Sequence, residues 1–110
     1  MQENTPIKQI CDAAEVAHAK IQQDFAHINP VVAVNKQMRN IGIATDLMTI
    51  DCLKSGKRIL LVLHDAQPDM VDYQFCLRDE DPTDEFERIP LADLTTARLY
   101  TWMKKTFSTV

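Results

Sequence analysis

The segment KRILLVLHDAQPDMVDYQFCLR, running from Lys57 to Arg78, decides the fold class. Ile59 to Leu63 are five consecutive apolar residues, the length and composition of a strand covered on both faces. Asp65-Ala66-Gln67-Pro68-Asp69 has the composition of a turn. From Met70 to Arg78 the pattern alternates. Val71, Tyr73, Phe75 and Leu77 point one way, and Asp72, Gln74, Cys76 and Arg78 the other. Two such strands joined by a short turn predict an antiparallel β-hairpin. A third strand over Glu85 to Ile89 would extend it to a meander, with Pro90 suiting a strand end or an edge.

Two or three strands do not form a stable domain alone, so helices must cover them. Thr5-Pro6 is a helix start, a capping hydroxyl followed by proline at the first helical position. Ile7, Ile10, Cys11, Ala14, Ala17, Ile21, Phe25 and Ile28 then recur at steps of three and four. This predicts a first helix from Pro6 to about His27. Asn29-Pro30 repeats the start signal, and Val31, Val34, Met38, Ile41, Met48 and Cys52 keep a helical register. The expectation is a second helix from Pro30 to Ser55, interrupted near Gly42, with Thr45-Asp46 as a renewed cap and Gly56 as its terminating residue. The competing reading is a strand over Ile41 to Leu53, which holds several β-branched residues. A last helix begins at Asp93 or Thr95 and carries Leu94, Leu99, Trp102, Met103 and Phe107 at helical spacing. Lys104 and Lys105 sit in its final turn, where the helix dipole favours cations.

The predicted fold is therefore α+β: one domain over residues 1–110, in two layers, with a hairpin or three-stranded meander packed by two N-terminal helices and one C-terminal helix. Its expected core contains Ile10, Ala14, Ile21, Phe25, Leu61, Leu63, Tyr73, Phe75, Leu99 and Trp102. The length of 110 residues leaves no room for a second core of ordinary size.

Composition bounds the function. Hydrophobic residues make up 45% and charged residues 25%, the balance of a soluble globular chain. The net charge of -4 argues against general nucleic-acid binding, which needs a basic surface. The five-residue run Ile59 to Leu63 is far too short to span a membrane. Met1-Gln2-Glu3-Asn4-Thr5 has neither a basic n-region nor an apolar stretch, so no signal peptide is expected. Cys11, Cys52 and Cys76 are widely spaced, with no C-x-x-C pair. They read as small apolar core residues in a reducing cytoplasm.

His64-Asp65, at the end of the first hairpin strand, is the one local pair with the types needed for a base and its orienter. Neighbours on a strand point to opposite faces, so the two can cooperate only where the chain turns. His18 and His27 are nine residues apart on the first helix and cannot reach one ion. Asp79, Glu80, Asp81, Asp84, Glu85 and Glu87 crowd one connection, and without these six acids the remainder of the chain is slightly basic. The crowd reads as a solvated loop, a contact for a basic protein, or a divalent-cation loop. An EF-hand is rejected, because Asp84 stands where glycine is required and Leu91 where glutamate is required. Tyr100, Trp102 and Phe107 beside Lys104 and Lys105 read as a core helix with a basic last turn rather than a base-stacking platform. Phosphate-loop, dinucleotide, zinc-protease and serine-hydrolase patterns are absent, so no cofactor or metal is expected.

The favoured expectation is a small cytoplasmic, non-catalytic interaction protein that self-associates, a homodimer, because the second helix carries more apolar surface than one stripe. The first alternative is a ligand-binding or enzymatic module using His64, Asp65 and a cysteine. The second is an acidic mimic of nucleic acid that blocks a basic partner. Candidate contact residues are His64, Asp65, Asp79, Glu80, Asp81, Asp84 and Glu85.

Overall fold

The computed structural model describes residues 5–108. Met1–Asn4, on which the reading of the chain start largely rests, lie outside the described residues. The elements in chain order are helix α1 (Pro6–Asp24), strand β1 (Pro30–Asn35), a single helical turn α2 (Gln37–Asn40), strands β2 (Thr45–Cys52), β3 (Lys57–His64), β4 (Met70–Leu77) and β5 (Glu87–Pro90), a 3-10 turn over Leu91–Asp93, and helix α3 (Thr96–Phe107). The five strands form one antiparallel sheet in sequential order, β1-β2-β3-β4-β5. The chain is an α+β domain.

Both long helices start as their sequences direct. The Thr5 hydroxyl accepts a hydrogen bond from the Lys8 N–H at 3.2 Å, with Pro6 in the first turn. Thr95, not Asp93, caps α3 by accepting from the Arg98 N–H at 3.2 Å. Each cap satisfies a donor that would otherwise have no partner in the first turn.

The expected second helix is replaced by β1, the short turn α2 and β2. Three physical features decide against the helix. Val31, Val32, Val34, Thr45, Thr49 and Ile50 are β-branched, and such side chains lose χ1 freedom against the preceding helical turn. Gly42 adopts φ +93°, a left-handed conformation suited to a turn and not to a helix interior. Asp46, Met48, Ile50 and Cys52 are buried on one face of β2, while Thr45 and Asp51 are buried on the other. An inner strand, walled by β1 and β3, is apolar enough on both sides to mimic a wide helical stripe. Ser55-Gly56 closes the β2–β3 turn: Gly56 has φ +73°, and its N–H donates to the Cys52 carbonyl at 2.8 Å. The hairpin or three-stranded meander is thus the β3–β5 part of a five-stranded sheet.

Strand register sorts the residues by face. Met48 lies opposite Leu61, Ile50 opposite Ile59, Leu61 opposite Tyr73, and Ile59 opposite Phe75. Met48, Ile50, Ile59 and Leu61 join Ile10, Ala14, Ala17 and Ile21 of α1 and Leu99, Met103 and Phe107 of α3 in one core cluster, with Tyr73 partly buried against it. Of the expected core, Ile10, Ala14, Ile21, Leu61, Leu63 and Leu99 are buried, and Phe25, Tyr73 and Trp102 are half-buried. Phe75 is a correction: it is 46% exposed. Its strand position faces the helices, but β4 outruns β5 there, leaving one side of the ring open.

Candidate functional site

His64 is the last residue of β3 and Asp65 begins the turn after it, so the chain does bend between them. Both line a cavity of about 580 Å³, together with Lys36, Arg39, Asp46 and the start of α1. The cavity wall is held by a fork that the sequence did not announce. Arg39 donates from Nε to Asp46 Oδ1 at 2.9 Å, from Nη1 to Asp65 Oδ2 at 2.9 Å and from Nη2 to Asp65 Oδ1 at 2.7 Å. Lys36 Nζ stands 4.0 Å from Asp46. Arg39, seven residues from Asp46 and twenty-six from Asp65, therefore ties the β1–β2 connection to the β3–β4 turn. No local motif encodes partners that far apart.

These bonds occupy the groups that chemistry would need. The Arg39 guanidinium holds the Asp65 carboxyl below the usual carboxylate range, and the two carboxylates raise Arg39 in turn. His64 has its Nδ1 3.2 Å from the Thr45 hydroxyl and its Nε2 3.3 Å from Asp72. Asp72 is also gripped by Arg88, whose Nε donates at 2.6 Å and Nη2 at 3.2 Å. Arg88 first, and His64 to a lesser degree, hold Asp72 below the carboxylate range. The cavity is lined by no cysteine among the described residues. Cys52 is buried, and burial pushes the Cys11 and Cys76 thiols up, away from the thiolate form that attacks substrates. All three cysteines are free. Among the described residues no group of three or more His, Cys, Asp or Glu could hold a metal ion.

The acidic residues Asp79, Glu80, Asp81, Asp84 and Glu85 are all exposed and lie apart from His64 and Asp65. Their loop is fastened at one point. Buried Gln74 donates from Nε2 to the Thr83 carbonyl at 2.9 Å and accepts at Oε1 from the Thr83 N–H at 3.1 Å. A side-chain amide here performs the two-bond pairing of a strand residue. Beyond it, the chain forms β5, which pairs only with Met70–Tyr73 of β4.

The sheet has two unlike edges. The β5 edge is four residues long, carries Glu87 and Arg88, and ends on Pro90. Short length, charge and proline are the usual guards against unwanted strand pairing. The β1 edge is six residues long, Pro30-Val31-Val32-Ala33-Val34-Asn35, with no charged side chain. Val31 is 42% exposed and Val34 40%. Hydrogen bonds at the other end of the sheet fix which main-chain groups of β1 are unpaired. Gly56 N–H donates to Cys52 O, and Arg78 N–H donates to Gly56 O at 2.9 Å. Cys52 therefore directs its main-chain groups toward β3. Because the direction alternates along a strand, Leu47, Thr49 and Asp51 direct theirs toward β1. Their register partners Asn35, Ala33 and Val31 point back, leaving the N–H and C=O groups of Val32 and Val34 on the open side. The sequence signal for this edge is three valines without a charge, whose spacing also satisfies a helical register.

No known family model matches the chain, and comparisons with curated proteins and with solved structures also return no match. Among the described residues no helix is long and apolar enough to cross a membrane.

Proposed function

We propose that this chain is a small, non-catalytic protein-interaction domain of the cytoplasm that associates with itself. The observation carrying this reading is the unguarded β1 edge: six uncharged residues, three of them exposed valines, with the main-chain groups of Val32 and Val34 unpaired by β2. An exposed, apolar strand edge is a template for another strand. The original reason for expecting a homodimer, a wide helical stripe, is replaced by this one, although Val31, Val32 and Val34 belong to both. In a two-layer arrangement, with α1 and α3 on one face of the sheet, Val31 to Asn35 of that edge are exposed. The carboxylate of Asp65 and the ring of His64 are committed to Arg39, Thr45 and Asp72, which favours a structural role for the pair. Three free cysteines fit a reducing compartment. The net charge of -4 favours a protein partner over a nucleic acid.

Sedimentation equilibrium between 1 and 100 μM (roughly the range in which weak to moderate protein dimers dissociate) tests the reading. The expected result is a monomer–dimer equilibrium, with the heavier species at twice 12.6 kDa. A single 12.6 kDa species at every concentration would overturn it.

A further inference from the structure

We propose that the β1 edges of two copies pair antiparallel about a two-fold axis through Ala33, joining their sheets into one. This inference rests on the self-association proposed above and assigns its geometry.

The register follows from the main-chain groups. An antiparallel pair alternates between residues that exchange both hydrogen bonds and residues that exchange none. The outward groups of β1 belong to Val32 and Val34. An axis through Ala33 sets Val32 opposite Val34 of the second copy, and Val34 opposite its Val32, so both outward residues exchange both bonds. The neighbouring registers are poorer. An axis through Val32 sets Val34 opposite Pro30, which has no N–H to give. An axis through Val34 sets Val32 opposite Lys36, which has left the strand to precede α2.

Side chains and charge agree with that register. Alanine, the smallest residue of the strand, meets itself on the axis, where unbonded pairs approach most closely, with Cα atoms about 4.5 Å apart. Val31 then lies opposite Asn35, and the strand carries no charge to oppose its own copy. A self-complementary patch closes with two copies. The opposite edge of the sheet is guarded where β5 lies, four residues that carry Glu87 and Arg88 and end on Pro90.

Two substitutions test the axis. Ala33→Cys brings two thiols within disulfide range, since unbonded strand pairs fall inside the roughly 4.4–6.8 Å Cα separation that disulfides span. Val31→Cys is the control: its copies stand four residues apart across the axis, about 13 Å, too far to bridge. Under mild oxidation Ala33→Cys is expected to give a reducible covalent dimer, while Val31→Cys and the unsubstituted chain remain uncrosslinked. Ala33→Lys sets two ammonium groups face to face and is expected to raise the dimer dissociation constant at least about tenfold, with an unchanged circular dichroism spectrum because position 33 is exposed. If the unsubstituted chain dimerises but Ala33→Cys does not crosslink, or Ala33→Lys dimerises as well as before, the edge pairing is wrong while self-association stands. If the unsubstituted chain is monomeric at all concentrations, both fail.

Discussion

Replacing Leu61 or Phe75 with alanine should separate two residues that the sequence pattern treats alike. Leu61 is 0% exposed, set between Met48 of β2 and Tyr73 of β4. Its truncation leaves a closed cavity, and a buried leucine lost in this way costs about 2–5 kcal/mol. Nothing at the centre of the sheet can collapse into the space, so a cost of about 3–4 kcal/mol, around the middle of that range, is expected. Phe75 is 46% exposed. A fully buried phenylalanine costs about 3–5 kcal/mol on truncation. About half of that applies here, and water can fill the gap, giving about 2 kcal/mol. This includes the edge-on contact with Trp102, whose ring centre lies 5.4 Å away. Urea unfolding followed by circular dichroism at one protein concentration reads the difference. With a slope near 2 kcal/mol per molar, the midpoint should fall by about 1.5–2 M for Leu61→Ala and by about 1 M for Phe75→Ala. Equal shifts in the two variants would refute the placement of Phe75 at an open edge.

Acid should weaken the fold through Asp72. Its folded carboxyl is held below the unfolded value of about 3.9, so its contribution is complete above that pH and is lost as pH falls through the lower folded value. The melting temperature should drop below about pH 4, and less steeply in Arg88→Met; identical pH profiles would contradict the pairing. At neutral pH at least two of the three cysteines should react slowly with a thiol reagent in the folded protein and quickly after unfolding, while three fast native thiols would argue against their packing. Gln74→Ala removes both bonds to Thr83 and should cost about 1–3 kcal/mol, with faster amide exchange at Thr83 and earlier proteolysis in the acidic loop. Unaltered exchange at Thr83 would contradict the fastening role.

Local chemistry was the legible part of the sequence. Thr5-Pro6 and the apolar spacing specify α1, although the stripe running on through Phe25 and Ile28 sets its end near His27 and the helix stops at Asp24; the alternation from Met70 specifies β4 to within a residue. The segment from Pro30 to Cys52 misled because an inner strand and its neighbour place apolar residues at spacings that also satisfy a helix. Its valines, isoleucines and threonines, and the turn at Gly42, carried the better signal. Phe75 shows a different limit. Alternation gives the face of a strand, but not whether the next strand is long enough to cover it. The Arg39 fork shows a third: its partners meet only after the sheet has formed, and no spacing rule connects residues 39, 46 and 65. For the candidate site, His64-Asp65 was visible as a pair and Arg39, which binds Asp65, was not.

Amide hydrogen exchange at Val32 and Val34, followed by nuclear magnetic resonance as protein concentration is raised, reports on the β1 edge residue by residue. These two N–H groups point away from β2, and among the described residues no main-chain partner accepts from them. Edge pairing predicts fast exchange in dilute protein, and protection that grows in step with the dimer, while Val31 and Ala33, bonded to β2, are protected throughout. Fast exchange at Val32 and Val34 under conditions where the protein is dimeric would contradict the pairing of β1 with its copy.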